Sequence, residues 1–161
     1  MATAGRPDGP SNGYKFAGSV RIGVATAEWN SEITHALRDG AVRVLHDAGV
    51  PNAQVVCIQV PGAFELPLAC AWLVNEGRCD AAIALGSVIR GETPHFDFVC
   101  QAAAEGTMRV GLDSRKPVLF GVLTDDTWDQ AKARSGGAHG NKGEDCAAAC
   151  LAMLALKHNL A

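Results

Sequence analysis

Short runs of continuous apolar residues alternate along the chain with longer stretches in which apolar positions recur every three or four residues. Four of the short runs read as strands, at residues 20–26, 53–60, 81–86 and 117–124. Runs that are apolar at consecutive rather than alternate positions belong to strands buried on both faces, as in a parallel sheet. The stretches between them read as helices. The first has apolar positions Ile33, Leu37, Ala41, Val44, Leu45 and Ala48, a candidate N-cap at Asn30 or Ser31, and a stop at Gly49. The second follows ELPLACAWLVNEG from Glu65, with Pro67 in the first turn, where its missing N–H is tolerated. The third runs from His95 to Asp113 and contains Gly106, expected to weaken it by about 1 kcal/mol relative to Ala. Thr127 and Gln130 then have capping-box spacing ahead of a short helix. Asn141 and Glu144 repeat that spacing ahead of a last helix reaching about Asn159.

Strands and helices in strict alternation imply a three-layer α/β/α sandwich around a four-stranded parallel sheet, with right-handed crossovers and flavodoxin-like character. In such sheets ligands bind outside the carboxyl ends of the strands, so the turns there hold the candidate chemistry.

Composition narrows the classes without naming one. A length of 161 residues suits a single domain, here residues 17–161 after a Gly/Pro-rich, flexible tail at 1–16. The net charge of −3 comes with scattered Lys and Arg, so nucleic acid is set aside. The longest apolar runs fall well short of the roughly 20 residues of a membrane span, and the N-terminus lacks a secretory signal. Six cysteines include no C-x-x-C pair, and Cys146 and Cys150 lie four apart on an alanine-rich helix, where cysteine serves as a small hydrophobe. No metal or disulfide framework is expected, and reduced thiols fit a cytoplasmic protein.

The strand ends carry Trp29, either a packing residue or a flat face for a planar heterocycle. Phe64 is either core or ligand contact, and Glu65 is either a helix-start carboxylate or an acceptor for ligand hydroxyl and NH groups. In GSVIRGETPHFDFV, the amides of Gly91, Glu92 and Thr93 precede the start of a helix, which makes an anion cradle. His95 is either structural or a proton-transfer group. Arg134 and Lys142 flank the glycine-rich SGGAHGN and can bring positive charge to a phosphate. GAHGNKG does not keep the spacing of a P-loop. These residues suit an enzyme acting on a planar heterocycle together with a phosphorylated small molecule.

Taken together and in order, VPGAFELP, ALGSVIRGETPHFDFV, FGVLT and QAKARSGGAHGNKGE resemble the 6,7-dimethyl-8-ribityllumazine synthase family, over about residues 20 to 156. The resemblance implies condensation of 5-amino-6-ribitylaminouracil with 3,4-dihydroxy-2-butanone 4-phosphate, releasing phosphate and water, with no cofactor. It implies that Trp29 stacks on the pyrimidine and that Ala63, Phe64 and Glu65 line the ribityl side. Ser87, Val88 and Ile89 would line the ring, and Gly91, Glu92 and Thr93 the phosphate. His95 would transfer protons, while Arg134 and Phe120 would come from an adjacent subunit. Lys142, in the GNKG segment, would contribute charge near the phosphate. The family assembles as homopentamers, in many cases as shells of twelve pentamers, and the run from Arg134 to Asn141 shows no insertion that would forbid a shell. Two alternatives stand beside it: an archaeal-type riboflavin synthase, which takes no phosphorylated substrate, and a non-catalytic flavin-binding or shell-forming protein.

Overall fold

The computed structural model describes residues 20–160; the tail expected at 1–16 lies outside the described residues. Four parallel strands, β1 (Ile22–Ala27), β2 (Val55–Val60), β3 (Ala81–Ile89) and β4 (Val118–Asp125), form one sheet in the order β2-β1-β3-β4. The helices are α1 (Ser31–Asp47), α2 (Leu66–Asn75), α3 (His95–Ser114), α4 (Trp128–Arg134) and α5 (Lys142–Asn159). The expected α/β sandwich is therefore present, with α1 and α5 packed on one face of the sheet and α2 and α3 on the other.

Side-chain size differs between the two faces. Toward α1 and α5 the sheet presents Ile22, Val24, Ile83 and Leu85, packed on Ile33, Leu37 and Leu45. Toward α2 and α3 it presents Ala25, Ala27, Ala82 and Ala84. Gly23 and Gly86 continue that small face: a Cβ at Gly23 would stand 2.8 Å from Leu73, and one at Gly86 would stand 3.0 Å from Leu66. The α2 layer thus lies close against the backbone of β1 and β3. Cys70, Cys146 and Cys150 are buried free thiols in these cores, and burial pushes Cys70 and Cys146 up to about 12, so they pack as small apolar groups.

Several boundaries depart from those expected. β1 starts at Ile22, and β2 at Val55 after a 3-10 turn at Asn52–Gln54. β3 continues three residues beyond Gly86, because Ser87, Val88 and Ile89 keep pairing with Leu123, Thr124 and Asp125. The SGGAHGN segment forms a small antiparallel hairpin, β5 (Ser135–Gly137) and β6 (Gly140–Asn141). Both capping boxes form in half. Thr127 accepts from Gln130 N, but the Gln130 side chain accepts from Asp126 N. Asn141 accepts from Gly143 N, while Glu144 pairs with Arg43 of α1.

Gly106 proves to be a packing residue. A Cβ there would stand 2.7 Å from Pro67 Cγ, where α3 crosses the start of α2. Gly106→Ala therefore sets a helix-propensity gain of about 1 kcal/mol against an overpacking cost of about 1–3 kcal/mol on a rigid proline ring. The variant is expected to melt lower than the wild type by a few degrees; an unchanged or raised midpoint would show that α3 can step away from Pro67.

Candidate active site

Backbone and side-chain hydrogen bonds tie together the turns at the carboxyl ends of the strands. Glu28 N donates to Val60 O at 2.8 Å and Trp29 N to Pro61 O at 3.3 Å, joining the turn after β1 to the turn after β2. Asn30 joins the same turn to β3, its Nδ2 donating to Ser87 O at 2.9 Å. This tie crosses the β1–β3 boundary, where the strand order reverses and a doubly wound sheet receives its ligand. Asn30 is the N-cap residue of α1, yet its side chain makes no cap hydrogen bond, being committed to β3. Its φ of 57° lies in the left-handed region, which asparagine tolerates better than most residues.

Trp29 is 73% exposed and Phe64 is 62% exposed, so neither is a core residue. A Cβ at Gly62 would stand 3.2 Å from Glu65 Oε2 and 3.7 Å from Trp29 Cδ1. The carboxylate and the indole therefore flank one gap that glycine leaves open. Glu65 occupies the N-cap position of α2 and is exposed, and Ala63 is buried beneath it in a 3-10 turn. Ser87 is buried on the β3 face it shares with Ile83 and Leu85, while Val88 and Ile89 are half-buried.

Beyond β3 the chain leaves the sheet at Arg90, whose N donates to Asp125 O at 3.0 Å. Gly91, Glu92, Thr93 and His95 are exposed. Pro94 is the N-cap and His95 the first residue of the 20-residue α3. The three residues of the turn thus sit at the positive end of a long helix, with the Thr93 hydroxyl as a further donor.

Arg134 ends α4, where Nη1 donates to Gln130 O at 3.0 Å and lies 3.7 Å from Asp125 Oδ1. Asp125 is 7% exposed and its Oδ2 has no hydrogen-bond partner among the described residues. Desolvation pushes this carboxyl above the usual range; Arg134 acts against that shift and Asp126 adds to it. Trp29, Ala63, Phe64, Glu65, Ser87, Val88, Ile89, the turn at Gly91, Glu92 and Thr93, His95 and Arg134 all belong to the strand-end side of the sheet. Phe120, which the resemblance assigns with Arg134 to an adjacent subunit, and Lys142 lie away from this group. Phe120 lies mid-strand opposite Ala84, in an apolar groove of about 720 Å³ beside the edge strand β4. Lys142 opens α5 on the sheet face opposite α3, with Nζ 2.7 Å from Asp145 Oδ2. Asn30 as a cross-sheet tie has no local signal in the sequence, whereas Arg90, between a strand and a glycine turn, has one.

The chain matches the family described as 6,7-dimethyl-8-ribityllumazine synthase over residues 19–158. Proteins bearing that name are similar to it. One from Cytophaga hutchinsonii is 52% identical over 83% of this chain and 84% of its own length. One from Porphyromonas gingivalis is 46% identical over 86% of each. One from Phocaeicola vulgatus is 39% identical over 99% of this chain and 96% of its own length.

Two outcomes are expected from these contacts. Asn30→Gly removes the hydrogen bond to Ser87, at about 0.5–1.5 kcal/mol, while Asn30→Ala adds a left-handed backbone cost of about 1–2 kcal/mol. Thermal midpoints should therefore fall in the order wild type, Asn30→Gly, Asn30→Ala, and equal midpoints for the two variants would rule out the backbone contribution. Because the Asp125 pKa is raised on folding, its contribution to stability is full below the ordinary carboxylate range and lost as pH rises through the raised value. Melting followed from acid to neutral pH should show the wild type losing ground to Asp125→Asn as pH rises; parallel curves would contradict it.

Proposed function

We propose that this chain, which belongs to the 6,7-dimethyl-8-ribityllumazine synthase family, carries out the family's reaction with the residues gathered at the carboxyl ends of its strands. The protein is a transferase of riboflavin biosynthesis that condenses 5-amino-6-ribitylaminouracil with 3,4-dihydroxy-2-butanone 4-phosphate, releasing phosphate and water. The observation that carries the site assignment is the shared gap flanked by the exposed Trp29 indole and the Glu65 carboxylate, with the α3 N-terminus on the same side of the sheet. Trp29 stacks on the pyrimidine, and Ala63, Phe64 and Glu65 take the ribityl chain. Val88, Ile89 and the backbone of Ser87 form the floor under the ring. Gly91, Glu92 and Thr93 hold the phosphate, and His95, one turn residue away, gives and takes the protons of imine formation and phosphate elimination. Holding two reactants in register accounts for much of the rate, and no covalent enzyme intermediate is needed.

The assembly is read from the same surfaces. The β4 edge exposes Phe120, Met108, Leu112 and Met153, and the α2 side exposes Phe64, Leu68 and Trp72. Two different apolar faces on one subunit suit a head-to-tail contact that closes into a ring. In a homopentamer of this kind each site takes Phe120, Arg134 and Lys142 from its neighbour, and twelve pentamers close a shell. Buried free thiols fit the cytoplasmic placement. Among the described residues no helix is long and apolar enough to cross a membrane.

A mixing experiment tests both the roles and their division between subunits. His95→Ala and Arg134→Ala proteins should each be nearly inactive. Co-assembled in equal amounts they should regain roughly a quarter of wild-type activity, since that share of sites pairs an intact His95 with a neighbour's intact Arg134. No recovery would show that both residues act within one chain, and full activity of either single variant would remove that residue from the mechanism.

A further inference from the structure

Arg90, at the end of β3, contacts Asp126, Asp97 and the Phe96 ring, and none of these contacts belongs to the proposed chemistry. Its backbone is pinned to β4 through Asp125 O. Its side chain reaches two further segments. Nε donates to Asp126 Oδ1 at 2.8 Å, in the turn leading to α4. Nη2 donates to Asp97 Oδ1 at 3.2 Å and Nη1 lies 3.5 Å from Asp97 Oδ2, in the first turn of α3. The guanidinium also lies over the Phe96 ring, 4.1 Å from its centroid. One planar fork therefore spans the end of β3, the start of α3 and the turn after β4. Between Arg90 and the Phe96 ring under its guanidinium lie only Gly91, Glu92, Thr93, Pro94 and His95.

We infer that Arg90 is a positioning residue for the condensation: it fixes the Gly91-Glu92-Thr93 turn and His95 relative to the end of β4, without itself touching substrate. The inference rests on the roles proposed above for that turn and for His95. Three considerations carry it. The fork is directed at two carboxylates and stacked on a ring, the geometry in which arginine is not replaceable by lysine. Asp97 and Asp126 flank the turn proposed to hold the phosphate, and Arg90 pairs with both, offsetting one of their two negative charges and holding the two carboxylates to its fork. Arg90, Asp97 and Asp126 are largely exposed, and exposed ion pairs add little to stability. The network thus does more to set direction than to hold the fold.

The test uses the assembled protein and both substrates, each varied in turn, with thermal midpoints measured in parallel. Arg90→Gln should lower kcat/KM for the phosphorylated substrate by roughly tenfold to a hundredfold, in line with the cost of a small misplacement. KM for the pyrimidine and the thermal midpoint should hardly change. Arg90→Lys keeps the charge and is not expected to restore the rate; it also serves if the glutamine variant fails to assemble. Asp97→Asn should lower the same parameter, and the Arg90→Gln, Asp97→Asn double variant should be no worse than Arg90→Gln alone. Unchanged kinetics in Arg90→Gln would overturn the inference. So would a loss shared equally by both substrates with a lowered midpoint. Tighter use of the phosphorylated substrate by Asp97→Asn would also overturn it, since that would make Arg90 a phosphate ligand released from a competitor. A wild-type protein without turnover would instead remove the parent reading, and the inference with it.

Discussion

Side-chain size is divided unequally between the two faces of the sheet, and the position of the α2–α3 layer follows from that division. Gly23, Ala25, Ala27, Ala82, Ala84 and Gly86 let α2 approach the backbone of β1 and β3, and Gly106 lets α3 approach α2 over Pro67. A methyl group at Gly23 or Gly106 would collide with a side chain less than 3 Å away. The close layer fixes where α2 and α3 begin. Those beginnings carry two residues of the proposed site, Glu65 at the start of one helix and His95 at the start of the other.

At the working end, polar ties take over from apolar packing. The turns are exposed and cannot be held by burial, so hydrogen bonds and ion pairs connect them instead. Asn30 links β1 to β3, Arg90 links β3 to α3 and to the turn after β4, and Asp125 meets Arg134 at the end of α4. These ties fix the strand-end turns relative to one another, as the proposed meeting of two small reactants in one orientation requires. Phe120 and Lys142 lie on other surfaces of the chain, which the proposed homopentamer would bring to a neighbour's site.

The four strands of the parallel sheet and the five helices were legible because their signals are local: continuous apolar runs for strands buried on both faces, and a helical period with caps elsewhere. The strand-end positions of Trp29, Glu65, the glycine turn and His95 were legible for the same reason, since strand-end turns follow directly from strand assignment. What was hidden depends on partners far away in sequence. Asn30 looks like a helix cap until Ser87 is beside it, 57 positions on. Gly106 looks like a weak point until Pro67 lies against it. Arg90 looks like a solvated charge until Asp97 and Asp126 converge on it, and the extension of β3 to Ile89 required the register with β4.

The most direct measurement gives purified protein both substrates and follows lumazine absorbance and free phosphate together. The structure and the family predict one phosphate released for each lumazine formed, at a rate well above the uncatalysed condensation. Lumazine formation no faster than the uncatalysed reaction, or conversion of lumazine alone to riboflavin, would contradict the account.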